Sequence, residues 1–228
     1  MGQSKTPENA GPVSARFRAR ERRAVESFQT AAACIGPVTP DMGVFALTRG
    51  QFGAIDVVNH LLDQVGPAHV SLWTWCVAEY EISVLTGLLR RGDILSGRLV
   101  IDQSSDKRNP DFIESWRQRF GETSLRITRT HAKLYRVWTP DGRYRLLCRG
   151  SFNLNYSPRL EQLDLDEGSP AFDLVAGIED ELPVLPRGYT SADVMAAGKL
   201  DKAFPAETLA RFVNPGAGPF QGLKTWQR

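Results

Sequence analysis

The chain has 228 residues, 42% hydrophobic and 24% charged, an ordinary globular balance that excludes wholesale disorder and allows one large core. Its three cysteines, Cys34, Cys76 and Cys148, are odd in number and form no C-x-x-C pair, which argues against a disulfide framework or zinc site and for a reducing compartment. No apolar run reaches about 18 residues and no signal-peptide core is present, so a soluble, cytoplasmic protein without stable membrane association is expected.

The formal net charge of +2 says less than its distribution. Arg16, Arg18, Arg20, Arg22 and Arg23 crowd one polar segment, and residues 1–23 read as a disordered basic arm. A short helix is expected over 24–35 and a buried strand at "GVFALT", Gly43 to Thr48. "GAIDVVNHLLDQVG" then sets Ile55, Val58, Leu62 and Val65 on one helical face. A strand follows at "HVSLWTWCV", and "EYEISVLTGLLRRGD" spaces Ile82, Leu85, Leu88 and Leu89 as a helix that stops at Gly92. Next come a strand in "GRLVIDQ", a helix in "PDFIESWRQRFG" and another strand in "SLRIT". "AKLYRVW" and "YRLLCR" flank the turn "TPDGR" and predict a β-hairpin. Beyond Asn155 a helix is expected in "AFDLVAGIEDELPVL", and residues 188–228 read as an irregular C-terminal extension with a helical piece near 206–212. Strands alternating with helices predict an α/β domain over 24–187: a mixed, largely parallel β-sheet with helices on both faces.

The hairpin region holds the candidate chemistry. In an extended chain His131 and Lys133 point to one side, as do Ser151 and Asn153, and the hairpin brings the two pairs alongside each other. An imidazole, an ammonium, a hydroxyl and a carboxamide on one small volume suit a phosphate ester: the imidazole attacks phosphorus while the others stabilise charge on the nonbridging oxygens. Of the other histidines, His60 is expected to face solvent and His69 to sit in a loop. Trp73 and Trp75 alternate on one strand and are expected to pack in a core or an interface.

The pattern H-x-K, a hairpin and G-S-x-N, carried by His131, Lys133, Gly150, Ser151 and Asn153, resembles the signature half of the phospholipase D superfamily, which includes single-motif bacterial endonucleases. The likeness spans roughly Gly43 to Glu181. Where that family has an Asn-x-Glu element, this chain reads Gln162-Leu163-Asp164; where it has an aspartate five residues after the lysine, this chain has Trp138. The resemblance implies metal-independent phosphodiester cleavage without a cofactor. One histidine forms a phosphohistidine, and a second protonates the leaving oxygen and then activates water. Only one H-x-K exists here, so the resemblance implies a homodimer with a shared cleft.

Catalysis is assigned to His131, Lys133, Ser151 and Asn153, and substrate binding to Gly150, Asn155, Arg149, Arg129, Gln162 and Asp164, with no metal ligands. Arg126, Arg129, Arg136, Arg143, Arg145, Arg149 and Arg159 are expected to surround the site with positive potential, which favours DNA or RNA as substrate over a lipid. The alternatives are a catalytically impaired nucleic-acid-binding module and a phospholipase or phosphatidyl transferase.

Overall fold

In the computed structural model, which describes residues 22–27 and 30–198, strand β1 (Arg22–Ser27) opens the described chain. The arginines of the N-terminal arm up to Arg20 and the helical piece near 206–212 lie outside the described residues. The elements that follow are α1 (Ala31–Ile35), β2 (Gly43–Thr48), α2 (Ala54–Val65), β3 (Ala68–Thr74), α3 (Glu79–Arg91) and β4 (Ile94–Asp102). After these come α4 (Gln103–Arg108), α5 (Pro110–Phe120), β5 (Leu125–Thr128), β6 (Leu134–Trp138) and β7 (Arg145–Gly150). The described chain ends with β8 (Glu161–Glu167), α6 (Pro170–Glu181) and α7 (Ser191–Ala197).

Eight strands form one mixed sheet in the order β1-β2-β8-β7-β6-β3-β4-β5. Parallel pairs β1–β2, β3–β4 and β4–β5 lie at its ends, with antiparallel pairs between them. Six strands run one way, and only β6 and β8 run against them. Where the sequence predicts one helix over 24–35, the chain forms β1 and the five-residue α1, which Thr30 caps by accepting from the Ala33 N–H. β1 joins β2 residue for residue from Arg22–Gly43 to Ser27–Thr48. Strand β8 and helices α4 and α7 are further elements that the apolar periodicity does not reveal. α7 is also not part of a loose tail, since its Val194 is fully buried in the main core.

The alternation of the strands separates two apolar layers. Val70 and Leu72 of β3, Leu99 and Ile101 of β4, Tyr135 and Val137 of β6, and Leu163 and Leu165 of β8 face α1, α2, α3 and α5 in the larger core. Trp73, Val100 and Leu147 face the other way, onto Phe172 and Val175 of α6. His60, expected on the surface, is buried and holds the carbonyl of Gly36 behind α1 at 2.8 Å. His69 is a β3 residue stacked on Trp138 at 5.4 Å between ring centroids.

Glu179 anchors α6 to the sheet. Its carboxylate is 0% exposed and accepts from Ser71 Oγ, from Trp73 Nε1 at 2.7 Å, from Arg136 Nε at 3.1 Å and from Arg98 Nη1 at 3.3 Å, with a further close contact from Arg136 Nη2. A buried carboxylate is tolerable only when this fully paired, and removing it strands the buried Arg136. Glu179→Ala is therefore expected to lose about 3–5 kcal/mol of stability, read as a fall in the urea midpoint. A loss within about 0.5 kcal/mol, as for an ordinary surface substitution, would contradict this role.

Candidate active site

The parallel strands β3, β4, β5 and β7 all end at one edge of the sheet, the edge where open α/β sheets place their ligand crevices. Four connections meet there: residues 75–78 after β3, the turn into α4 after β4, residues 129–133 after β5, and residues 151–155 after β7. Backbone bonds and a bridge tie the end of β3 and the first connection to the last. Val77 pairs with Leu154 in an isolated parallel bridge, the Ala78 N–H donates to the Leu154 carbonyl at 2.8 Å, and the Leu154 N–H donates to Thr74 Oγ1 at 3.1 Å.

His131 and Lys133 precede β6 in extended chain and meet as the period-2 argument requires. Lys133 Nζ lies 2.9 Å from His131 Nδ1 and 3.3 Å from Nε2, and donates to the His131 carbonyl at 2.6 Å. The imidazole is exposed, whereas Lys133 is 7% exposed beneath it. Whichever ring nitrogen carries the lone pair accepts from the ammonium. Burial holds the Lys133 pKa below its ordinary value, against the raising influence of Cys76 and Glu161. The loop is fixed from β4: the Asp102 carboxylate caps α4 by accepting from the Ser104 N–H at 2.9 Å and accepts from the Thr130 N–H at 3.1 Å.

Gly150 is required by close approach. A Cβ there would run into the backbone carbonyl of Gln162, so only glycine lets β7 lie this near β8 as it turns out of the sheet. The Ser151 N–H then donates to the Gln162 carbonyl at 3.1 Å, the Gln162 N–H donates to Ser151 Oγ at 2.8 Å, and Ser151 Oγ donates to the Glu161 carboxylate. Asn153 Oδ1 accepts from the Trp75 N–H at 3.2 Å, and the Trp75 ring lies 5.5 Å from that of His131. Asn155 Oδ1 accepts from Cys76 Sγ at 3.6 Å, and burial raises that thiol's pKa. Trp73 and Trp75 thus part company: the first is buried under α6, and the second is 39% exposed at the site.

Four predicted binding residues, Arg149, Asp164, Gln162 and Arg129, direct their side chains elsewhere. Arg149 pairs in register with Leu134 and Asp164, faces α6, and is held by Asp164 and Asp166. Alternation likewise puts the Gln162 side chain on that face, so Gln162 serves the site through its backbone alone. Arg129 is exposed, with Nη1 at 3.0 Å from Met195 Sδ on α7. Four of the predicted ring of arginines are engaged away from the site, while Arg159 is exposed between Tyr156 and Glu161. Arg136 is paired with Glu179, Arg145 with Asp173, Arg126 donates to the carbonyls of Thr123 and Leu125, and Arg143 stacks on Tyr144 in the hairpin turn. Trp138 sits at the far end of β6, five residues and roughly 16 Å from Lys133.

Asp102 and Glu161 are the contributors that motif reading overlooked, and Trp75, expected in a core or an interface, is a third. For Glu161 a signal existed: Leu163 and Leu165 mark the core face of β8, and Glu161 shares their parity while Asp164 does not. Among the described residues no group of three or more His, Cys, Asp or Glu side chains is placed to hold a metal, and no helix is long and apolar enough to cross a membrane.

No family model matches the chain, and none of the curated proteins does. Among solved structures it is similar to a polyphosphate kinase from Porphyromonas gingivalis, at 17% identity and a TM-score of 0.45 over 65% of this chain and 27% of that one. It is also similar to a phosphatidylserine synthase from Haemophilus influenzae Rd KW20, at 19% identity and a TM-score of 0.42 over 75% of this chain and 46% of that one. The chain spans less than half the length of either protein.

The depressed pKa of Lys133 sets a pH dependence. The folded state gives up this proton at lower pH than the unfolded chain, so the unfolded state binds more protons between the two pKa values and stability rises with pH across that window. The stability of wild type minus that of Lys133→Met is therefore expected to grow between pH 7 and pH values near the ordinary lysine pKa of about 10.4, measured by urea denaturation at each pH. A constant or falling difference would contradict the assigned burial.

Proposed function

We propose that the chain is a phosphodiesterase that cleaves nucleic acid through a phosphohistidine intermediate in a site shared between two copies. The observation that carries this reading is the exposed His131 imidazole with the buried Lys133 ammonium 2.9 Å from its Nδ1. In the first step an imidazole nitrogen bonds to phosphorus as the P–O bond to the leaving group breaks, and the same histidine of a second copy protonates the departing oxygen. In the second step that residue takes a proton from water, whose oxygen displaces the histidine nitrogen and releases the phosphate monoester. Lys133 and the Asn153 amide, which has no acceptor among the described residues, supply donors to the nonbridging oxygens.

Nucleic acid is favoured by aromatic side chains at the entrance more than by the arginines expected from the sequence, several of which are paired elsewhere. Trp75 is exposed with its ring 5.5 Å from that of His131, and Tyr80 and Tyr156 are exposed three and two residues in sequence past the ends of the Val77–Leu154 bridge. Flat rings beside a phosphate-handling group offer unpaired bases a stacking platform worth about 1–3 kcal/mol per base. A binding-only module is less well supported, because Trp138 and Asp164, the departures that suggested it, face α6 away from His131. Phosphatidyl chemistry is the second reading, favoured by Leu160, which is exposed near the same entrance and suits an acyl surface.

Incubation with single-stranded oligonucleotide, plasmid or phospholipid vesicles, each with EDTA, separates these readings. Cleavage of the single strand is expected, with loss of turnover in His131→Ala and a several-fold rise in KM in Trp75→Ala. The solution mass is expected to be that of a dimer in the wild type and in His131→Ala. Turnover that persists in His131→Ala, or a strictly monomeric active enzyme, would contradict the proposal.

A further inference from the structure

Asn153 stands in the connection after β7 between two residues that point into the core. Phe152 is 4% exposed, with its ring 5.9 Å from that of Phe52, and Leu154 is 0% exposed. The peptide groups on both sides of the Asn153 Cα are held by buried hydroxyls. Before it, the Phe152 carbonyl accepts from the Tyr135 hydroxyl at 2.7 Å; after it, the Leu154 N–H donates to Thr74 Oγ1 at 3.1 Å. Holding both peptide planes fixes the two backbone dihedrals of the residue between them.

Neither hydroxyl is explained by packing, since phenylalanine at position 135 and valine at position 74 would fill the same space with no polar atom to satisfy. Tyr135 is 2% exposed and shares the core face of β6 with Val137. Burial pushes its pKa well above the ordinary value, so the phenol stays a donor. Thr74 is 0% exposed and closes β3, and its Oγ1 also donates to the Cys76 carbonyl at 2.6 Å. That second bond fixes the loop carrying the Trp75 N–H, which donates to Asn153 Oδ1 at 3.2 Å. A backbone N–H can only donate, so the atom facing Trp75 is the carboxamide oxygen, and the amide nitrogen with its two protons is turned the other way. Tyr135 also lies two residues beyond Lys133 on the same face, and the Lys133 carbonyl accepts from the Gly150 N–H at 3.4 Å. One stretch of chain thus holds both the ammonium beneath His131 and the peptide that carries Asn153.

We infer that Tyr135 and Thr74 are positioning residues of the catalytic site, which together orient the Asn153 carboxamide so that its N–H donors meet a nonbridging oxygen of the bound phosphodiester. The inference rests on the phosphodiesterase reading above for its ligand, and on the three hydrogen bonds for the orientation. A donor already oriented needs no reorganisation as charge grows on that oxygen, so its loss falls on kcat rather than on KM.

The test pairs kinetics with NMR on the full-length protein. Turnover of bis(4-nitrophenyl) phosphate is measured for wild type, Tyr135→Phe, Thr74→Val, Thr74→Ser and Asn153→Ala, and for Tyr135→Phe combined with Asn153→Ala. Tyr135→Phe and Thr74→Val should each lower kcat about tenfold and change KM less than about twofold, whereas Tyr135→Phe should lower kcat no further in the Asn153→Ala background. A merely structural role would cost the same in both backgrounds. Thr74→Ser keeps the oxygen and should retain most of kcat, so the contrast with Thr74→Val decides the matter even if Tyr135→Phe is unstable. The side-chain amide resonances of Asn153 in isotope-labelled protein, assigned by their loss in Asn153→Ala, give a readout independent of turnover. They should move toward the position of a solvent-exposed asparagine in Tyr135→Phe and Thr74→Val and stay in place in Thr74→Ser. Wild-type protein without turnover would overturn the phosphodiesterase reading and leave the orientation of Asn153 to be decided by these resonances. Additive losses of kcat, or an Asn153 amide unmoved by both hydroxyl-removing substitutions, would overturn the inference.

Discussion

The site depends on one close approach, the backbone of Gly150 against the Gln162 carbonyl. Because no Cβ intervenes, β7 stays in register with β8 to its last residue and then hands Ser151 to a reciprocal pair of bonds with Gln162. From that point the chain is committed: Asn153 meets the Trp75 amide, Leu154 bridges Val77, and the loop after β3 is drawn beneath His131. On the other side Asp102 holds the N–H of Thr130, the residue next to His131, which Lys133 contacts in turn. The imidazole thus rests against Lys133 and Trp75 on a loop fixed from neighbouring connections, which lets it remain exposed without being loose.

The sheet divides its polar chemistry between its two faces. On the α6 side, Arg136 pairs with Glu179 and Arg145 with Asp173, which fastens the helix, while Arg149 pairs with Asp164 and Asp166 across β7 and β8. On the larger-core side, the strand ends deliver His131, Lys133 and Glu161 to the crevice edge. A count of arginines in the sequence merges these groups, because residues close in sequence on a strand alternate between faces. Parity separates them.

Much of the architecture was legible beforehand for physical reasons. α2, α3 and α5 repeat apolar residues at helical spacing and end at Gly66, Gly92 and Gly121, so periodicity and stop signals agree. The β6–β7 hairpin showed in its turn residues, and His131 with Lys133 in simple alternation. β8 was hidden because "EQLDLDE" looks too acidic for a strand, although its leucines alternate correctly toward the core. β1 was mistaken for helix because a sheet edge is set by a partner distant in sequence. The roles of Trp75, expected in a core or an interface, and of Asp102 were hidden for the same reason: each acts through a contact that only the meeting of separate strand ends creates.

The most direct measurement is mass spectrometry of the protein mixed with bis(4-nitrophenyl) phosphate, stopped in alkali during turnover and digested. A nitrophenyl-phosphoryl adduct on the peptide bearing His131 is the predicted result. Steady release of nitrophenol with no adduct on that peptide, or with the adduct on another side chain, would contradict the assignment of His131 as the attacking group.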